Sequence, residues 1–377
     1  MDYNQFRGCQ ECIIFEICQG TSTPRLGSAA CYSSSKEEMQ FEDEMAPCNP
    51  LFWRYWDDVG GLHHWKFDPL LSPKMINVPT YIPMVRNGSR RVTHLEEEIV
   101  AIPLFKVFGK RNVKSYGSRF ADGLELRRFF KIQDDARVIL IGVSEDPALE
   151  LFWQEHQVHK VFEELVALNV SGVTIPNFSA FEDMNRFDLF RNFKRVLLVA
   201  DRLSKANIPA ILHLNAFEPW HWRFWENLLR DHPEISVVCK EFQTGMKEFE
   251  KGIEAIKHLD RVQNHLNRRL HPILVGGGSY YREAANRFDS FTIVDSRPHM
   301  LSMSRTLLKV VSKNLFEEVP CPTQLHRPID HIYRENLRVH ADNLQHGRRN
   351  KTSKNDSCQM ELDFSTSIPY LTAQLAA

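Results

Sequence analysis

No run of about 18 or more apolar residues occurs in the 377-residue chain, so no membrane-crossing helix is expected. Excess charge is also lacking. Lys plus Arg number 47 against 48 for Asp plus Glu, a formal net charge of −1, which argues against a protein that coats a polyanion. With 43% hydrophobic residues and 25 Phe, the chain has the material for a sizeable core and is not wholly disordered. Met1–Arg7 carries Asp2 and no apolar stretch, so a secretion signal is not expected and the setting is read as cytoplasmic. There is no internal repeat. No Gly-x-Gly-x-x-Gly or Walker pattern supports a nucleotide cofactor, and no His-x-His or His-Glu-x-x-His spacing supports a metal-dependent hydrolase.

What is present begins with cysteine. Cys9, Cys12, Cys18 and Cys31 lie close together, whereas Cys48, Cys239, Cys321 and Cys358 are scattered. In a reducing compartment such a cluster points to a metal rather than to disulfides. Four thiolates suit a structural zinc ion, with an iron–sulfur cluster as the alternative. No Cys-x3-Cys-x2-Cys motif accompanies them, which argues against a radical enzyme. The cysteines belong to an irregular stretch, residues 1–91, read as a metal-binding arm and linker. Its aromatic segment Leu51–Trp56 is expected to pack the arm onto the main body, or else to offer a stacking platform for bases.

From Val92 the pattern changes. Seven short, nearly continuous apolar runs (Ile99–Val107, Val138–Val143, Gly172–Ile175, Ala210–Leu214, Ile235–Cys239, Pro272–Val275 and Phe291–Val294) alternate with amphipathic stretches. Continuous apolar strands are those buried on both faces of a parallel sheet. Helices are expected over Leu149–Asn169, Asn185–Ala206, His221–Asp231, Lys247–Arg268, Arg282–Arg287 and Ser304–Phe316. The fold class is therefore α/β. A (β/α)8-type barrel over 92–326, incomplete or closed by an irregular eighth strand, is favoured over a doubly wound sheet. Beyond Arg327 the periodicity fades, and residues 327–377 read as a flexible, mildly basic tail that could lie along a nucleic-acid backbone.

In a parallel barrel the functional face lies at the carboxyl ends of the strands. Polar residues gather there: Asn177, Ser179 and Asp183, then His213 and Asn215, Glu241 and Gln243, the triple glycine Gly276, Gly277 and Gly278, and Asp295. Any one of them could be a turn residue. As a set they suggest a site. Glu241 and Gln243 suit the edge of a nucleobase, the glycines allow close backbone approach, and Asp295, closing an apolar run, could act as nucleophile or general base. Asp183 or Glu241 would be the second carboxylate that moves protons.

The segment Val173–Met184, with Pro176-Asn177-Phe178-Ser179 at its centre, resembles a bacterial and phage family. Some of its members are described as tRNA-guanine-transglycosylase-like enzymes that place 7-deazaguanine bases in DNA. The likeness continues through Ile208–Asn215, Ser236–Val238 and Leu274–Gly278, over roughly residues 95–305. The resemblance implies a TIM barrel in which a Gly-Gly loop contacts the incoming base and a later Asp attacks C1′ of the sugar, here Gly276–Gly278 followed by Asp295. That superfamily's zinc ligands beyond the nucleophile have no counterpart here, so any zinc role would fall to the N-terminal cysteines. The function implied is base exchange on nucleic acid, DNA before RNA, with a modified purine as partner. The alternative is a non-catalytic nucleic-acid-binding or assembly protein built on an inactive barrel.

Overall fold

The computed structural model describes residues 54–346 apart from 56, 63–64, 74–77, 113–114, 182–183, 185, 244–247, 313–314 and 325. The elements run in the order β1 (Tyr81–Pro83), β2 (Ile99–Pro103), α1 (Leu104–Val107), β3 (Phe108–Asn112), β4 (Ser115–Ser118), α2 (Gly123–Phe130) and β5 (Arg137–Ile141). There follow α3 (Asp146–Glu155), α4 (Val161–Ala167), β6 (Gly172–Thr174), α5 (Arg186–Lys205), β7 (Ala210–His213), α6 (Pro219–Asp231), β8 (Val237–Glu241) and α7 (Phe249–His265). The chain then forms β9 (His271–Val275), a 3-10 turn over Gly277–Tyr280, α8 (Tyr281–Ala285), β10 (Thr292–Asp295), α9 (Arg297–Met303), β11 (Thr306–Ser312), β12 (Leu315–Pro320) and α10 (Asp330–His346).

Eight parallel strands form one sheet in the order β1-β10-β9-β8-β7-β6-β5-β2. A single parallel bridge, Met84 to Ala101, with Val85 N–H donating to the Ala101 carbonyl at 2.8 Å, brings its two edges together. The sheet is thereby nearly closed into a barrel. Alternation along each strand divides the core in two. Ile82, Ile99, Ile139, Ile211, Val237, Cys239, Ile273 and Val294 fill the interior. Their neighbours Val100, Leu140, Leu212, Val238, Leu274 and Ile293 pack outward against the helices. All seven predicted apolar runs contribute strands.

Four expectations need correction. The first run ends as a strand at Pro103 and continues as a helical turn, because proline cannot donate to a ladder. The helix expected over Ser304–Phe316 is instead an antiparallel hairpin, β11 with β12, in keeping with its β-branched Thr306, Val310, Val311 and Val319. The arm assigned to 1–91 supplies the eighth strand, β1, which pairs with β10 from Tyr81↔Ile293 to Pro83↔Asp295. Finally, the tail placed from Arg327 holds α10, which buries Ile332, Tyr333, Asn336, Leu337, Val339, His340 and Leu344. Asp330 secures its start by accepting from Thr93 N–H at 2.8 Å and Thr93 Oγ1 at 2.6 Å. Asn336 is fully satisfied beneath it, donating to Ser302 Oγ and the Thr306 carbonyl and accepting from Leu308 N–H.

The end of the arm does pack onto the barrel. Val59 and Leu62 are buried, Asp58 accepts from Trp153 Nε1 at 2.6 Å and pairs with Arg191 at 2.8 Å, and Lys194 donates to the Gly61 carbonyl. Cys9, Cys12, Cys18 and Cys31, and the last residues of the chain from 347, lie outside the described residues.

Candidate functional site at the barrel mouth

Val237 and Cys239 face the interior, so Glu241, two residues on, takes the inward position at the carboxyl end of β8. It is 8% exposed, and its Oε1 accepts the Gln243 N–H at 2.5 Å. The chain then folds against the glycine turn. Phe242 N–H donates to the Val275 carbonyl at 2.9 Å, and Gly276 N–H to the Val294 carbonyl at 2.8 Å. Gly276 has φ +73°, a left-handed conformation, and a Cβ there would stand 2.3 Å from Gln243 Cγ. Glycine is required at 276 on both counts. Glu241, Gln243 and Gly276 thus meet at one place on the mouth, although β8 ends at Glu241 and Gln243 already belongs to the turn.

His213 also points inward, its register partner being Cys239 on the next strand. It is fully buried, with no hydrogen-bond partner for either ring nitrogen. Burial, with Lys240 adding to it, lowers its pKa to about 3, so the ring is neutral. Burial and then the charge of Glu241 push the Cys239 thiol up, so it stays protonated and unreactive.

The neighbouring Asn177 and Ser179 serve the loops. Asn177 Oδ1 accepts from Ser144 N–H at 3.1 Å, and Ser179 Oγ donates to Asp146 Oδ1. Asn215 Nδ2 donates to the Phe178 carbonyl at 2.7 Å. These bonds tie the turns after β5, β6 and β7 together. Gly142 fits tightly among them, since a Cβ would lie 2.4 Å from the Thr174 carbonyl oxygen.

Asp295 is elsewhere. Val294 faces the interior, and Asp295 therefore projects outward on the side of Ile293, toward α10. Its Oδ1 accepts Arg297 N–H at 2.7 Å at the start of α9, and its Oδ2 lies 3.3 Å from His340 Nε2. Burial pushes its carboxyl up, but His340 and the Arg297 N–H and charge outweigh burial and hold it below the ordinary carboxylate range. Gly278 turns the same way, the position of its absent Cβ standing 3.5 Å from Asp295 Oδ2 and 3.6 Å from Leu344 Cδ2. The glycine turn thus divides, with Gly276 at the mouth and Gly278 under α10. Asp183 lies outside the described residues.

Two groups of residues escaped the sequence reading. Lys240 points outward from β8 and is buried beneath α6, its Nζ 3.3 Å from the Ala216 carbonyl oxygen and over the Phe217 and Trp222 rings. Burial, partly opposed by Glu241, lowers its pKa to about 8. A lysine directly after an apolar run was the signal. The second group is basic. The excursion between β2 and α2 holds five Lys or Arg from Leu104 to Ala121 and no Asp or Glu, a local excess concealed by the balanced total.

Two surface clefts lie at the opposite, amino-terminal end of the barrel, one of about 300 Å³ beside Leu70, Asp201 and Ser204 and one of about 200 Å³ beside Thr80, Phe288 and Ser290. Among the described residues no cluster of three His, Cys, Asp or Glu could hold a metal ion. No described helix is long and apolar enough to cross a membrane. Comparisons of the chain with protein-family models and with curated proteins returned no match.

Proposed function

We propose that the chain is a transglycosylase-like barrel protein that engages a base of nucleic acid, DNA before RNA, at its carboxyl-terminal mouth. The reading is supported most by the meeting of Glu241, Gln243 and Gly276. A nearly buried carboxylate accepts hydrogen bonds from the N–H groups of a purine edge, and an exposed amide beside it both donates and accepts. A base must leave its stack to reach such a position, and a 7-deazaguanine-type purine offers the matching N–H groups. In base exchange Glu241 would hold the incoming or departing base, and Asp295 is the nucleophile that the family resemblance suggests. The outward position of Asp295, engaged by His340, favours the second reading, in which the barrel binds nucleic acid without altering it.

Nucleoside mass spectrometry of DNA incubated with the protein and a 7-deazaguanine-type base separates the two. A new nucleoside, lost in Glu241→Gln and Asp295→Asn, is the result expected of the enzyme. Unmodified DNA that nevertheless binds the wild-type chain would leave the binding reading. For Cys9, Cys12, Cys18 and Cys31 the proposal is one zinc ion in a cytoplasmic protein, with an iron–sulfur cluster as the alternative. It rests on their spacing alone, and elemental analysis decides it.

A further inference from the structure

Three cations stand together at the mouth on the side of β1 and β2. Arg86 follows β1, and Lys106 lies in α1, directly after β2, the strand bridged to β1 through Met84 and Ala101. Arg119 follows β4, with its N–H donating to the Val107 carbonyl at 2.9 Å, and its guanidinium covers Gly109, where a Cβ would lie 3.2 Å from Nη2. Lys106 and Arg119 are exposed and Arg86 is half-buried. None of the three pairs with a carboxylate among the described residues, and the one hydrogen bond recorded for these side chains is from Arg86 Nη1 to Met300 Sδ at 4.0 Å. By contrast, nearby Arg111 reaches Glu164 at 2.8 Å and Arg297 reaches Glu318 at 2.8 Å. Partial burial of its amine lowers the Lys106 pKa, and the charges of Arg86 and Arg119 add to it.

Three convergent, uncompensated cations on the functional face of a barrel call for an anion. We infer that Arg86, Lys106 and Arg119 form a binding site for a phosphoryl group, the phosphate of a nucleic-acid strand whose base is presented to the mouth. Guanidinium groups grip phosphate oxygens in pairs, and the lysine supplies a point charge between them. The phosphoryl chemistry stands on the cations alone, and its assignment to a strand rests on the function proposed above.

The test is equilibrium binding of a fluorescein-labelled single-stranded DNA to the full chain, followed by anisotropy as salt is raised, with inorganic phosphate as a separate competitor. Lys106→Ala and Arg119→Ala should each weaken DNA binding about 3- to 10-fold and reduce the slope of log K against log salt by about 0.7. Arg269→Ala, at the opposite end and paired with Asp289, should change neither. Both mouth residues are exposed, and unchanged melting curves establish that the variants fold. Wild-type affinity and slope in both variants would overturn the proposal while leaving the Glu241 reading intact. If inorganic phosphate protects the wild type but not the variants from thermal unfolding, and DNA does not bind, the site stands as one for a small phosphate ligand and the nucleic-acid function falls. No response to either probe overturns the site.

Discussion

His340 Nε2 lies 3.3 Å from Asp295 Oδ2, so a histidine on the last described helix is joined to the carboxyl end of β10. The pair sits outside the barrel, with the ring of Tyr81 packed edge-on against His340 at 5.3 Å between centroids. Three elements distant in sequence, β1, β10 and α10, meet at this contact.

Asp295→Asn should weaken the fold at neutral pH by about 1–3 kcal/mol, because a largely buried acceptor loses its charge. The Asp295 carboxyl is held below its ordinary value, so its contribution is present above the unfolded-state pKa and disappears as pH falls through the folded one. Denaturant titrations at several pH values should therefore show the difference between wild type and variant closing in strong acid.

Acid should affect the protein before its carboxylates titrate. His156, His271 and His299 are lowered to about 4 and His213 to about 3, each chiefly by burial. The unfolded chain binds these protons near pH 6.5 and the native one does not, so stability falls as pH drops from about 6.5 toward 4, by up to about 1.4 kcal/mol per unit for each. His213→Leu removes a buried ring that lacks hydrogen-bond partners. It should flatten that fall and leave stability at pH 7 unchanged or higher, as chemical denaturation will show.

Truncation at Arg327 should abolish cooperative unfolding. It removes Ile332, Tyr333, Leu337, Val339 and Leu344, whose burial is worth about 1.5–3 kcal/mol each, against a total stability of about 5–15 kcal/mol for a typical domain. Differential scanning calorimetry of the shortened chain gives the answer.

Gly142→Ala should destabilise by about 1–3 kcal/mol or more, since its methyl group would meet backbone rather than a side chain that can turn aside. The lowered melting temperature should be accompanied by loosened turns after β5 and β6, seen as faster amide exchange at Ser144 and Asn177.

The long apolar strands were legible in the sequence because burial on both faces leaves continuous runs, and β2 and β5 through β10 each overlap one, extending beyond it by no more than two residues. β1 was not, being three residues, Tyr81–Pro83, that end in a proline and depend on β10 for their pairing. α10 was missed because Asn336 and His340 interrupt its buried stripe, and only the folded barrel supplies their partners. At the mouth, the residue types at strand ends were legible but their directions were not. Glu241 turns inward and Asp295 outward by the parity of their strands, and a shift of one residue reverses that choice.

The order of β1 and β10 has a consequence for how the chain is made. Tyr81 is synthesised early and its register partner Ile293 some two hundred residues later, so the ring cannot shut while the ribosome is still producing the middle strands. Until then the edges that β10 will cover, those of β1 and β9, stay unpaired, and neighbouring chains could pair with them. Closure depends on a contact of very high sequence separation, the kind whose loop-closure cost slows folding.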